Sequence, residues 1–333
     1  MGIKDLNPFL RETTPDCIKE VALGDFNGKK VAIDTSIYFY KFLYKNDRYL
    51  EGFFQQIFRL KVNGLIPIYI FDGVPPPEKN NILIQRKEKK IESKRAIDEM
   101  QSKYNSIEDS DEKKKLLFEL IKMKKKLIFV TKEHNDKLKE MLDTINVQYI
   151  QASGEADLVC GQMYKQGHAD IVMSDDMDLL TSGSRKVFRN FFITSNKVLY
   201  YDLEAILNKL ELTSEQWVDF CILCGCDYCD RIPSLGPKNA IKLLKLYNNV
   251  PNILENTKDK YTIPDNYIDT YNKSIEIFKN TDIIEFTYKP IVHPGFNGVE
   301  KIITILKENT NLTEKQIMNR LNKMIRYSDP KSD

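Results

Sequence analysis

The sequence has no apolar run approaching the roughly 20 residues that cross a bilayer. Its opening, Met1-Gly2-Ile3-Lys4-Asp5-Leu6, contains no signal-peptide core. Gly2 begins like a myristoylation site, but Leu6 stands where Ser or Thr is required. A soluble, intracellular protein with no membrane partner is expected. Charge of one sign is also lacking: the 333 residues sum to +2, so any basic surface for nucleic acid has to be local. No internal repeat or long low-complexity segment is present, and 42% hydrophobic residues suffice for a sizeable core. Well-separated cysteine pairs are missing too. Four of the six cysteines are bunched as Cys221, Cys224, Cys226 and Cys229. That run is too compact for a structural zinc site and is spaced unlike the bacterial ferredoxin motif. The apolar residues Trp217 to Leu223 around it predict buried thiols acting as small hydrophobes. An intracellular address argues against disulfides.

What is there is an alternation of short apolar runs with amphipathic stretches. Lys30–Ile33, Ile66–Phe71, Val147–Ile150 and Ala169–Met173 have the composition of buried parallel strands. Tyr49–Lys61, Asn135–Thr144 and Ala156–Gln166 carry helical periodicity between them. The order predicts an α/β fold with a mostly parallel, doubly wound sheet. Lys186–Ile193 and Lys197–Tyr201, either side of Thr194-Ser195-Asn196, predict a hairpin extending it. Residues 78–140 change to lysine-rich helical sequence with a polar break near Asn105 to Asp111, and the chain is mainly helical after 202.

Each predicted strand runs into acid: Asp34 after Ile33, Asp72 after Phe71, Glu155 and Asp157 after the third, Asp175, Asp176 and Asp178 after the fourth. A single acid there is ordinarily the N-cap of the next helix. Four strand ends sharing the feature would gather acids at the carboxyl edge of one sheet, where open α/β sheets bind ligands. Crowded carboxylates repel unless cations neutralise them. Oxygen ligands without a nearby His or Cys point to Mg2+ or Mn2+. The pairs Glu155/Asp157 and Asp176/Asp178, two apart, are expected in extended backbone, where both would face one side. Asp227, in Gly225-Cys-Asp-Tyr228, would add a seventh carboxylate. Two divalent ions about 4 Å apart would suit phosphodiester hydrolysis. Downstream, Ile232-Pro-Ser-Leu-Gly-Pro-Lys-Asn-Ala240 places a Gly236-containing turn before a helix whose amides could hold a DNA phosphate.

MGI at the start, VAIDTS, FDGVPP, GEAD, SDDMDLLTSGS and CDYC followed by IPSLGPKNA occur in an order and spacing that resemble the flap endonucleases of the XPG-like 5′ nuclease superfamily. The resemblance runs over nearly the whole chain. It implies a PIN-like nuclease core over 1–202, a helical gateway and cap near 78–140, and a helical region over 203–333 with a helix–hairpin–helix near 216–248. It implies a structure-specific 5′ flap endonuclease, with accompanying 5′–3′ exonuclease activity, working as a monomer on flapped or branched DNA in replication and repair. Asp34, Asp72, Glu155, Asp157, Asp176, Asp178 and Asp227 become the carboxylates for two Mg2+ ions, with Mn2+ able to substitute. Lys79 and Arg86 become the catalytic cations at the foot of the arch, contacting the scissile phosphate and steadying its developing negative charge. Gly2, Tyr40, Lys125, Lys126, Gly225, Gly236 and Lys238 become DNA contacts, and a K+ ion is implied at the helix–hairpin–helix. Tyr40 has an alternative as a core residue of its apolar helix, and His134 in VTKEHND reads as structural.

Between Lys79 and Lys126 there are 15 Lys or Arg against 9 Asp or Glu, an excess of +6 that would attract a single-stranded flap. The pattern departs from the family at Ser234, where glycine is usual, and at Asn239, where a base is common. Both would weaken the duplex grip or its K+ site. The chain ends at Asp333 without the clamp-binding box, which leaves a sliding clamp doubtful as a partner. The spacer of 82 residues from 73 to 154 is too short for XPG itself. An exonuclease-1-like enzyme and an inactive DNA-binding scaffold remain the alternatives.

Overall fold

The computed structural model describes residues 2–45, 48–108, 110–279, 286 and 296–328. Seven strands form one sheet: β1 (Ile18–Ala22), β2 (Lys30–Asp34), β3 (Ile66–Phe71), β4 (Gln148–Gln151), β5 (Ile171–Met173), β6 (Lys186–Arg189) and β7 (Lys197–Asp202). Their spatial order is β1-β7-β6-β5-β2-β3-β4. The five strands from β6 to β4 pair in parallel, and β7 and β1 continue antiparallel. The chain winds from β2 outward to β4, then returns to β5 on the other side of β2. That reversal makes a topological switch point at the carboxyl ends of β2 and β5.

The central strands are buried on both faces, which explains their unbroken apolar sequence. Alternate residues enter two cores. Ala32, Ile68, Ile70 and Val172 face a core built with helices Ala156–Lys165, Leu203–Leu210 and Ser214–Cys224. Val31, Ile33, Tyr69, Ile171 and Met173 face one built with Tyr49–Val62, Lys132–Thr144 and residues 302–324. The segment after residue 202 therefore contributes to both sides of the sheet.

Ile66–Phe71 falls as expected, the other three expected strands differ at their ends by one or two residues, and the expected hairpin is β6 and β7, its first arm ending at Arg189 rather than Ile193. The edge strand β1 was not expected: Ile-Lys-Glu-Val-Ala leaves two charged residues exposed and has no clean alternation. The lysine-rich region folds into helices Asn80–Ser106 and Ser110–Lys126. At 27 residues the first is about 40 Å long. Ile97 alone is buried on it; with Leu120 of its partner it marks where the two helices pack together.

Candidate active site

Asp34 ends β2 and Asp72 follows β3, so two neighbouring parallel strands deliver carboxylates to the same edge. Asp34 does cap its following helix: Oδ1 accepts from the Ser36 amide at 3.1 Å. Its other oxygen accepts from the buried Ser174 hydroxyl at 2.9 Å, across the switch point. Asp72 accepts from the Ser36 hydroxyl and, at 2.7 Å, from the Ala156 amide that opens the next helix. Sequence reasoning missed Ser36 and Ser174, whose roles appear only when the strand ends meet.

Glu155 occupies the N-cap position of helix Ala156–Lys165 but makes no capping hydrogen bond. Its carboxylate instead receives Lys79 and the hydroxyl of Tyr228. The two i, i+2 pairs are not in extended strand, as the sequence suggested. Asp157 lies in the first turn of that helix, and Asp178 opens a short 3-10 turn. Asp178 donates its amide to Asp176 at 3.2 Å, a local turn that brings the two acids together without a strand. Asp175 is drawn away from the cluster by Lys41, 2.8 Å distant, and by the Asn190 amide. Asp227 follows helix Ser214–Cys224 and accepts from Arg86 at 2.8 Å, with Lys79 at 3.1 Å. Lys79 thus lies between Glu155 and Asp227, joining the foot of the long arch helix to the sheet edge.

The electrostatics record the crowding. Burial, then the charge of Asp72, pushes Asp34 up to about 7; the Ser174 hydrogen bond opposes this and Asp176 reinforces it. Asp157 and Asp178 are held well above the ordinary carboxylate range, first by burial and next by Glu155 and Asp176 respectively. For Lys79 burial works against the charge, yet Glu155, Asp157 and Asp227 outweigh it and raise the ammonium above the ordinary lysine value. Gly2, at φ +79°, presses its Cα so close to Asp176 and Asp178 that a Cβ would collide with both carboxylates.

Among the described residues no three His, Cys, Asp or Glu side chains stand ready as a chelating set. Basic residues and hydroxyls engage Glu155, Asp227, Asp72 and Asp34. A need for positive charge nevertheless persists: the Asp178 Oδ1 is buried and has no hydrogen-bond partner. Uncompensated carboxylate oxygen is costly to bury, and an all-oxygen donor set suits a hard divalent cation.

The XPG N-terminal domain family model matches residues 1–93, and the XPG I-region model matches residues 146–227. Flap endonuclease 1 of Aedes aegypti is 34% identical over 301 residues, covering 85% of this chain and 76% of that protein. The chain belongs to the flap endonuclease family. At the level of fold, the catalytic core of Rad2 in complex with a DNA substrate matches with a TM-score of 0.68 at 23% identity, over 96% of this chain and 99% of that one. Flap endonuclease-1 from Methanococcus jannaschii gives 0.66 at 22% identity, over 93% and 96%.

In this flap endonuclease the remaining expected DNA contacts lie on or beside four helices. Tyr40 sits on helix Thr35–Lys45 beside buried Tyr38 and Phe39 but is itself 38% exposed, so it is not a core residue. Lys125 is exposed on the last turn of helix Ser110–Lys126; the Lys126 side chain lies outside the described residues. Gly225 ends helix Ser214–Cys224 at φ +92° and accepts from the Lys4 amide at 2.9 Å. Gly236 is the N-cap of Pro237–Tyr247 with open space around it, and exposed Lys238 pairs with Glu12. Between them Ser234 adopts φ +65°, the left-handed conformation for which glycine is suited. The four bunched cysteines are all buried and free. Burial raises every one of their thiols, Cys226 to about 12. They are packing residues. His134 is structural as well, closing a capping box with Thr131 and stacking edge-on against Tyr49 at 4.8 Å.

Proposed function

We propose that Asp34, Asp72, Glu155, Asp157, Asp176, Asp178 and Asp227 hold two Mg2+ ions, or Mn2+ in their place, and that the chain hydrolyses a phosphodiester of flapped DNA at the single-strand/duplex junction. The carrying observation is the convergence of these acids on one sheet edge, with a buried Asp178 oxygen left unpartnered. Magnesium bound there would supply charge stabilisation to the phosphodiester and a more acidic attacking water.

The chain's own residues set the stage. Ser36 and Ser174 fix the Asp72 and Asp34 carboxylates, and Tyr228 fixes Glu155. Lys79 and Arg86 neutralise the acids until a phosphate arrives; they then face its developing negative charge. Burial raises the Asp34 carboxyl, and a cation held beside it would favour the ionised form. The helix start at Gly236 and the exposed Lys238 would meet the duplex backbone, a grip without sequence readout. Together with the Rad2 core's likeness as a DNA complex, this supports branched DNA as substrate and action where DNA is replicated and repaired.

The test is cleavage of a labelled double flap, a nicked duplex and a four-way junction, each with Mg2+, with EDTA and with Asp176→Ala. One Mg2+-dependent cut near the flap base, absent in the variant, is expected. Stepwise shortening from the 5′ end would favour an exonuclease, and tight binding without cutting would replace the enzyme by a scaffold.

A further inference from the structure

Beside Tyr40, already expected to meet DNA, stand two side chains with no part in the chemistry above, Lys90 and Phe129. The Lys90 ammonium stands between two aromatic faces, 5.6 Å from the Tyr40 ring centre and 4.8 Å from that of Phe129. It also donates to the Ile128 carbonyl at 3.2 Å, which ties the two sides of the gap together. Phe129 is 51% exposed, in the extended segment that follows helix Ser110–Lys126. A large ring held half in water by its backbone is a stacking surface looking for a partner.

The position of the group says what that partner is. Lys79, Arg86 and Lys90 are spaced i, i+7, i+11 along one stripe of helix Asn80–Ser106 and its N-cap. The first two meet Glu155 and Asp227, so the third continues the same row of cations away from the carboxylates. Tyr40 lies six residues beyond Asp34 on the helix that Asp34 caps, about 9 Å along its axis. A strand whose phosphate lies at the carboxylates therefore passes next along alternating cation and aromatic rings. Cations for phosphates interleaved with rings for bases is the chemistry of single-stranded nucleic acid binding.

We infer that Phe129, with Tyr40, forms a nucleobase-stacking subsite for the single-stranded 5′ flap, and that Lys90 fills the gap between the rings until a base displaces it. The inference rests on the DNA-cutting reading. Stacking of a base on an aromatic ring exceeds an exposed cation–π contact, so the exchange runs towards the DNA. Displaced, Lys90 is free to meet the adjoining phosphate. Because a π-face is common to every base, the subsite selects single strand over duplex without selecting sequence.

The test uses a flap DNA carrying 2-aminopurine at successive positions of the 5′ single strand. Binding is read in full-length protein made inactive by Asp176→Ala, with and without Phe129→Ala or Phe129→Trp. Quenching at one flap position that Phe129→Ala abolishes and Phe129→Trp retains is expected. In the active chain, Phe129→Ala should lower the ratio of flap to flapless-nick cleavage about tenfold, within the range of one lost stack, and Phe129→Trp should restore it. Unchanged quenching and an unchanged ratio in Phe129→Ala would overturn the subsite while leaving the nuclease reading intact. A parent protein that cuts neither substrate with Mg2+ would instead remove the reading on which the subsite rests.

Discussion

Asp34→Asn should stabilise the metal-free protein while ending its cleavage. One existing hydrogen bond survives the change and the other reverses: the amide oxygen still accepts from the Ser36 N–H, while the new NH2 would donate to the Ser174 oxygen, which already accepts from the Asp176 amide. What disappears is a charge that the fold resists, since the native carboxyl is pushed from 3.8 up to about 7. At about 1.4 kcal/mol per pH unit, ionising it in the native state costs on the order of 4 kcal/mol. The native pKa lies above the unfolded one, so the native chain holds the extra proton between them. The contribution of Asp34 to stability is therefore greatest below about pH 4, declines as pH rises to 7 and is level beyond. The asparagine variant lacks this decline. Its advantage over the parent should widen by roughly 4 kcal/mol between pH 4 and pH 8. For 333 residues that corresponds to roughly 6 °C in Tm, from the usual unfolding entropy per residue. Thermal melts of both proteins in EDTA across that range measure the difference, which includes the relief of Asp157, whose carboxyl the Asp34 charge helps to raise. Mg2+ added at pH 8 should raise the parent's Tm more than the variant's. Parallel pH curves, or a variant that falls behind as pH rises, would refute the account of a charge-strained edge.

Two further substitutions probe positions where sequence and geometry disagree or cooperate. Ser234→Gly should raise stability by about 1 kcal/mol, because a side chain at φ +65° carries a left-handed penalty that glycine avoids; an unmoved urea midpoint would count against it. Tyr228→Phe removes the hydroxyl that Glu155 accepts, a buried bond to a charged group worth roughly 1.5–3 kcal/mol. It should raise the Mg2+ concentration for half-maximal cleavage and leave DNA affinity in EDTA as it was; an unaltered Mg2+ titration would deny Tyr228 that positioning role.

The parts of the fold legible in the sequence are those where one residue's environment is set by its neighbours in the chain. β2, β3 and β5 are buried on both faces, so Val-Ala-Ile and Ile-Tyr-Ile-Phe announce themselves. Ile18–Ala22 pairs along one edge and shows its charges to water, so nothing local marks it as strand. The same division runs through the site. All seven acids were legible because each follows a strand or a helix end in a recurring pattern. Their companions were not: Ser174 reaches Asp34 across 140 residues of sequence and Tyr228 reaches Glu155 across 73. Such partners are chosen by the topology of the sheet, which no spacing encodes. The i, i+2 pairs show the converse, neighbouring acids joined by a backbone other than the expected strand. A two-residue interval satisfies a strand, a helix start and a turn alike. The folded chain uses the latter two, and a helix start presents free N–H groups to an anion. Placing the acids at helix and turn starts lets the backbone itself offset part of their repulsion, leaving the remainder, most visible at Asp178, for a cation to meet.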